Sequence, residues 1–175
     1  MDFKIQVAEL KELHRVEADA LLLVVGEGTS PEALGKALGG ALARALKEGD
    51  LAYKAGRSLY LHGLSGVKSG RVLFVAAADA TPKAWRNALA AGLGQLKGGA
   101  ARTVAIASAL PQPLTEAHAQ LLAPAVLDAT YVYRHTKPSA PPAAKLNRVN
   151  LLCSVAAAPG LRAGLQRVED ARRTA

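Results

Sequence analysis

A chain of 175 residues, half of them apolar, is long enough to bury roughly two thirds of the surface its unfolded form exposes, so one domain can stand without disulfide or metal staples. Aromatics at 4% and abundant alanine predict a close-packed core of Leu, Val and Ala, of the kind formed by helices laid on a sheet. The net charge of +8 admits nucleic acid or an acidic surface as partner, the single cysteine excludes an internal disulfide, and no apolar run nears the roughly 18 residues of a membrane span. With no signal-like segment in MDFKIQVAEL, these features exclude secretion and membrane insertion and predict a cytoplasmic location.

Phe3 to Val7 alternates as a strand, and Ala20 to Val25 is a continuous apolar run, the mark of a central parallel strand covered on both faces. After Gly26 and Gly28, Ser30 reads as a helix N-cap with Pro31 at the first helical position. Leu34, Leu38, Ala41, Leu42 and Ala45 then recur at helical spacing until Gly49. Arg57 to Leu61 and Arg71 to Val75 have strand length and composition, and Gly63, Gly66 and Gly70 with Ser65 and Ser69 supply an exposed turn region between them. Thr81 and Pro82 begin a second helix with Trp85, Leu89, Leu93 and Leu96 on one face, ended by Gly98 and Gly99.

Thr103 to Ala107 is another buried strand, followed by a helix from Thr115 towards Tyr133 with Leu122, Val126 and Ala129 inward and Pro124 as a kink or interruption. The proline-rich, basic stretch Arg134 to Lys145 is a crossing loop, Arg148 to Val155 a strand, and Pro159 to Arg173 a final helix with Leu161, Leu165 and Val168 on one stripe. Strands alternating with helices predict an α/β sheet, mostly parallel, with helices on both faces. The closing ARRTA carries no helix stop signal, so the last element reads as cut in mid-course.

The excess charge is concentrated from Arg134 onward, where Arg134, Lys137, Lys145, Arg148, Arg162, Arg167, Arg172 and Arg173 face only Glu169 and Asp170. That stretch suits either a solvated face meeting acidic residues elsewhere or a nucleic-acid surface. Catalytic chemistry has little to stand on. The 14 acids are scattered, no H-x-x-x-H, H-E-x-x-H or C-x-x-C occurs, and His14, His62, His118 and His135 are isolated in sequence. His62 reads as a side chain hydrogen-bonded at a strand end, Ser65 and Ser69 as turn residues without a nucleophile elbow, and Cys153 as an inert core thiol. Gly26-Glu27-Gly28 ahead of a helix offers backbone amides to an anion, but Pro31 breaks the G-x-G-x-x-G fingerprint and Glu27 opposes a pyrophosphate.

Gly49 to His62 reads G-D-L-A-Y-K-A-G-R-S-L-Y-L-H, and Arg71-Val-Leu-Phe74 opens the next strand. This pattern is similar to the N-terminal domain of the leucyl (cytosol) aminopeptidases. Tyr131-Val-Tyr-Arg-His-Thr-Lys137 resembles the same family's Y-x-F-[DE]-x-[YL]-K, departing from it at Tyr133, Arg134 and Thr136. The resemblance implies a macro-domain-like three-layer sandwich over residues 1–175, non-catalytic, with the final helix at about 159–175 leading toward a missing C-terminal catalytic domain. It further implies a parent that removes N-terminal residues, often leucine, with two divalent metals (manganese or zinc), assembled as a homo-hexamer. This domain would then support assembly and access to the active sites. The family's catalytic signature N-T-D-A-E-G-R-L has no counterpart in the chain, so no catalytic, cofactor or metal residue carries over.

Two other readings stay open. Some bacterial members bind DNA, a role that Lys137, Lys145 and Arg148 suit. The run A-D-A-L-L-L-V-V with L-G-G-A-L-A-R-A-L loosely resembles macro domains, which implies ADP-ribose or nucleotide binding at Gly26 to Gly40.

Overall fold

The computed structural model of the chain describes residues 1–97, 99–130 and 145–174. Among them, β1 (Asp2–Val7), β2 (Ala20–Val25), β3 (Ser58–His62), β4 (Arg71–Ala76), β5 (Thr103–Ser108) and β6 (Arg148–Cys153) form one sheet in the order β1-β6-β5-β2-β4-β3. Adjacent strands are parallel except β3 and β4, which are antiparallel with Tyr60 opposite Leu73. That exception follows from chain length: the short connection between them permits a hairpin, whereas parallel neighbours need a longer crossover.

The helices are α1 (Gly35–Glu48), α2 (Pro82–Leu96), α3 (Glu116–Thr130) and α4 (Ala158–Thr174). Leu38, Leu42 and Ala45 of α1 pack with Leu21, Leu23, Val25, Val72 and Phe74 on one face of the sheet. Trp85, Leu89 and Leu93 of α2, Leu122 and Val126 of α3, and Leu161 and Leu165 of α4 join Leu22, Val24, Leu73, Val75 and Ile106 on the other. The expected three-layer α/β arrangement is therefore present, with its helices divided one against three.

Several boundaries differ from expectation for identifiable reasons. Pro31–Leu34 forms a short 3-10 turn rather than the first turn of α1, because Gly35 takes φ 82°, a left-handed conformation that favours glycine and starts the α-helix anew. Ser30 makes no cap hydrogen bond; its hydroxyl donates to Glu32 at 2.8 Å. A second 3-10 turn, Leu10–Arg15, joins β1 to β2 and buries Leu13 completely, although six residues are too few to show a period. Thr81 does cap α2, accepting the Ala84 amide at 3.2 Å, with Pro82 in the first turn. Pro124 neither kinks α3 to a stop nor ends it: the helix continues to Thr130, held by Leu122 and Val126 in the core. The expected extension to Tyr133, the loop Arg134 to Lys145 save its last residue, and Gly98 lie outside the described residues.

Residues 63–70 form the expected exposed connection, with Gly63, Ser65, Gly66, Lys68 and Gly70 exposed, but it is anchored. The Lys68 amide donates to the His14 carbonyl at 2.9 Å, the buried Ser69 hydroxyl donates to the Val16 carbonyl at 2.7 Å, and Leu64 and Val67 pack against the α1 core. A backbone tether to the segment before β2 thus holds the β3–β4 connection.

The same end of the sheet is tied by Asp19. Its carboxylate accepts the amides of Arg102 at 2.8 Å and Thr103 at 3.1 Å, its own amide donates to the Thr103 hydroxyl at 2.9 Å, and Arg71 donates to its carbonyl at 3.2 Å. The Arg102 amide, above all, holds the carboxyl below its ordinary range; partial burial opposes this, and the Thr103 amide and the Arg71 charge add to it. A lowered carboxyl contributes stability above its unfolded value of about 3.9, and that contribution disappears as pH falls through the folded value. Asp19→Asn should lose about 1–2 kcal/mol in urea melts at neutral pH, with the gap to wild type closing as pH drops below about 4.

Helix α4 approaches α3 closely at Gly164, where a Cβ would meet the Glu116 carbonyl oxygen at 2.5 Å and the Ala119 Cβ at 3.0 Å. Gly160, on the same helix, has open space around it. Gly164→Ala should therefore destabilise by about 1–3 kcal/mol through overpacking. Gly160→Ala should be neutral or stabilising by up to about 1 kcal/mol in the same denaturation assay.

Candidate functional site

In an open α/β sheet, ligands favour the rim at the carboxyl ends of the strands, where neighbouring connections diverge. Here that position is between β2, whose chain leads to α1 on one face, and β5, whose chain leads to α3 on the other. The Gly26–Thr29 loop fills it. The Gly26 amide donates to the Thr29 hydroxyl at 3.0 Å, and that buried hydroxyl donates to the Ala109 carbonyl at 2.9 Å. Gly28, at φ 86°, lies so close to Pro111 that a Cβ would come within 2.5 Å of its ring. Within the Gly26 to Gly40 segment read as a possible nucleotide site, the Gly26 amide is already bonded and Pro111 packs against Gly28. The helical turn that follows is only Pro31–Leu34, too short to gather a helix dipole. Tyr53 closes the outer side by donating to the Thr29 carbonyl at 3.3 Å; burial, then the nearby Glu27 charge, pushes its phenol above the usual value.

His118 was one of four isolated histidines in the sequence, and the structure makes it a fastener. Its Nδ1 is 2.9 Å from both the Thr115 amide and the Thr115 hydroxyl, and its Nε2 is 2.9 Å from the Ala80 carbonyl. An amide only donates, so Nδ1 accepts and Nε2 carries the proton given to Ala80. The ring is buried and meets Trp85 edge-on at 5.6 Å, joining the start of α3 to the loop before α2. The spacing Thr-x-x-His was the available signal. Such a saturated ring is structural rather than catalytic.

Beside the filled switch point is a cleft of about 250 Å³ at the ends of β1, β5 and β6, lined among others by Glu9, Leu10, Leu110, Leu114, Leu152 and Cys153. Burial raises the Cys153 thiol above its ordinary value, the Arg162 charge lowers it, and the Glu9 charge raises it. A raised thiol has less thiolate at neutral pH, in keeping with an inert residue.

The remaining sequence candidates do not converge. His62 is exposed and stacks on Tyr60 with ring centroids 4.8 Å apart, a contact two residues away along β3 in place of the expected hydrogen bond. Ser65 is exposed, whereas Ser69 is the buried tether described above. Of the possible DNA contacts, Lys145 is exposed, Arg148 is 3.7 Å from Asp2 at the first positions of β6 and β1, and Lys137 lies outside the described residues, as does His135. Among the described residues, no group of three or more His, Cys, Asp or Glu side chains is placed to hold a metal ion. Nor, among them, is any helix long and apolar enough to cross a membrane.

Comparison with known proteins bears on this arrangement directly. The family described as the cytosol aminopeptidase family, N-terminal domain, matches residues 6–139. A probable cytosol aminopeptidase of Methylibium petroleiphilum is 46% identical over 167 residues, which is 95% of this chain and 34% of that protein. Another, from Azotobacter vinelandii, is 36% identical over 146 residues, 78% of this chain and 29% of that protein. The chain thus spans about a third of the length of these curated relatives. A mutant of tomato leucine aminopeptidase superimposes with a TM-score of 0.71 over 97% of this chain and 35% of that one; at 18% identity the likeness is one of fold.

Removing the buried His118 ring takes the partner from the Thr115 amide and the Ala80 carbonyl and leaves a gap beside Trp85. His118→Ala should cost about 2–4 kcal/mol, seen as a lower denaturation midpoint at unchanged slope.

Proposed function

The chain belongs to the cytosol aminopeptidase family, whose N-terminal domain it matches, and from that premise we propose that it is the non-catalytic portion of a leucyl aminopeptidase. In this reading the parent enzyme releases N-terminal residues, leucine among them, from peptides, using two divalent metals held in a C-terminal catalytic domain. The present chain serves as that domain's partner, supporting assembly of a hexamer and shaping access to its active sites.

What carries this reading is the match to the family's N-terminal domain over residues 6–139. A two-metal hydrolase needs several carboxylates converging on cations about 3.5–4 Å apart. Here Asp19 is engaged by two backbone amides, and Asp79 accepts the Thr81 amide at the start of α2. Asp2 neighbours Arg148, Asp128 pairs with Arg86, and Glu116 with Arg167. Each of these acids stabilises a strand start, a cap or a helix contact, and they are spread over separate elements. The relatives' further length, about two thirds of each protein, supplies room for the chemistry.

The test is an assay of the purified 175-residue chain with leucine p-nitroanilide and added manganese or zinc. No turnover above the metal-only blank is expected. Robust metal-dependent hydrolysis by this polypeptide would contradict the assignment of chemistry to the remainder of the parent.

A further inference from the structure

Strand β3 is the last strand at one side of the sheet, and its outer edge carries none of the usual guards. The Arg57 carbonyl accepts the Ala76 amide at 2.8 Å and the Gly63 amide donates to the Gly70 carbonyl at 2.9 Å, so in the alternating antiparallel pattern Leu59 and Leu61 bond to β4. The backbone N–H and C=O groups of Ser58, Tyr60 and His62 therefore point away from the sheet, and no described residue pairs with them. Edge strands are ordinarily blunted by charged side chains, proline or a bulge. The opposite edge follows that rule, with Asp2 and Lys4 on β1. By contrast, Ser-Leu-Tyr-Leu-His of β3 holds no carboxylate, lysine, arginine or proline, and it pairs with β4 without a bulge. Beside it, on the face of the sheet that carries α1, is a groove with Ala37, Gly40 and Ala41 of α1 on one wall and Leu59 and Leu61 of β3 on the other. Short side chains on the helical wall let another chain come close, and Gly40 has nothing within 4 Å of where a Cβ would stand.

Such an edge fits an antiparallel strand with leucines on the groove side and polar or aromatic side chains on the other, and β3 itself has that form. A half turn about an axis normal to the sheet at Tyr60 sets Tyr60 opposite the partner's Tyr60, Leu59 opposite the partner's Leu61 and Ser58 opposite the partner's His62. In that register each outward N–H meets an outward C=O of the other copy. The leucine pairs then lie on the face with both grooves, and the tyrosines meet on the face that carries α2. No like charges confront each other within the paired strands. The groove lining adds Arg44 with Glu48 and Asp50, so two adjoining grooves present both signs of charge. We propose that the chain pairs with a second copy of itself through β3, making one continuous sheet across a twofold axis. The contact is isologous and closes on itself, which leaves no free β3 edge for a third copy. One short strand and its flanking groove bury less than about 1,200 Å², the class of weak and transient contacts, and a dissociation constant of about 10–100 μM is expected. The pairing is argued from the edge's own residues and does not rest on the peptidase reading.

Sedimentation velocity of the 175-residue chain between about 1 μM and about 500 μM tests the pairing, with residue-resolved hydrogen exchange read at both ends of that range. A shift from monomer to dimer is expected. The amides of Ser58, Tyr60 and His62 should gain protection at the high concentration, while those of Leu59 and Leu61, already bonded to β4, change little. H62P removes one outward amide at an exposed position where an edge strand tolerates proline, and it should weaken dimerisation about tenfold while keeping a cooperative melting transition. Y60K sets two ammonium groups opposite each other and should leave the chain monomeric throughout, and its melting transition in dilute solution separates lost pairing from lost folding. The proposal is overturned if the folded wild-type chain stays monomeric at about 500 μM, a result that leaves the edge to a different chain. It is equally overturned if a dimer forms in which the outward amides gain no protection, or if H62P dimerises as well as wild type.

Discussion

Everything in this fold hangs on β2. All six residues from Ala20 to Val25 are fully buried, paired with β4 along one edge and β5 along the other. Leu22 and Val24 point into the core under α2, α3 and α4, while Leu21, Leu23 and Val25 point into the core under α1. Each such side chain contributes about 1.5–3 kcal/mol by leaving water, so one strand anchors both cores. Its two ends are fixed by polar devices rather than packing. Asp19 ties its start to β5 and β4, and Thr29 ties the loop at its end to Ala109. The rims of the sheet inherit their geometry from these fastenings.

That organisation explains what the rims can do. At the β2–β5 switch point, the customary ligand position of such sheets, Thr29 and Pro111 have closed the crevice from within. Space remains one step along the rim, at β1, β5 and β6, where Glu9 stands near aliphatic walls. On the outer face, ion pairs such as Arg86 with Asp128 and Arg167 with Glu116 link α2, α3 and α4 into a layer. The acids are distributed as fasteners. The fold they fasten is that of the N-terminal portion of the cytosol aminopeptidase family, matched over residues 6–139.

The parts legible in the sequence were those governed by local rules. The unbroken apolar run of β2, the Thr81-Pro82 start of α2 and the Gly49 stop of α1 each carry their mechanism in neighbouring residues. What escaped depends on partners distant in sequence or on backbone atoms. Ser69 looked like a turn residue because its acceptor, the Val16 carbonyl, is 53 positions away and has no sequence signature. The start of α1 shifted because Gly35, read only as part of a helical run, adopts a positive φ. Glu9 is unremarkable singly, and only the parallel pairing of β1 with β6 brings its segment and that of Cys153 to one cleft. The family motif around Gly49 to His62 leads into the edge strand β3 of the β3–β4 hairpin.

The central claim is that both cores of this fold depend on β2. Native-state hydrogen exchange of the 175-residue chain tests it most directly. The amides of Leu21 to Val25 should exchange only through global unfolding, at the free energy given by denaturant melts, while the edge strands β1 and β3 open at lower cost. Exchange of the β2 amides as fast as those of β1, in a chain that otherwise retains its secondary structure, would contradict it.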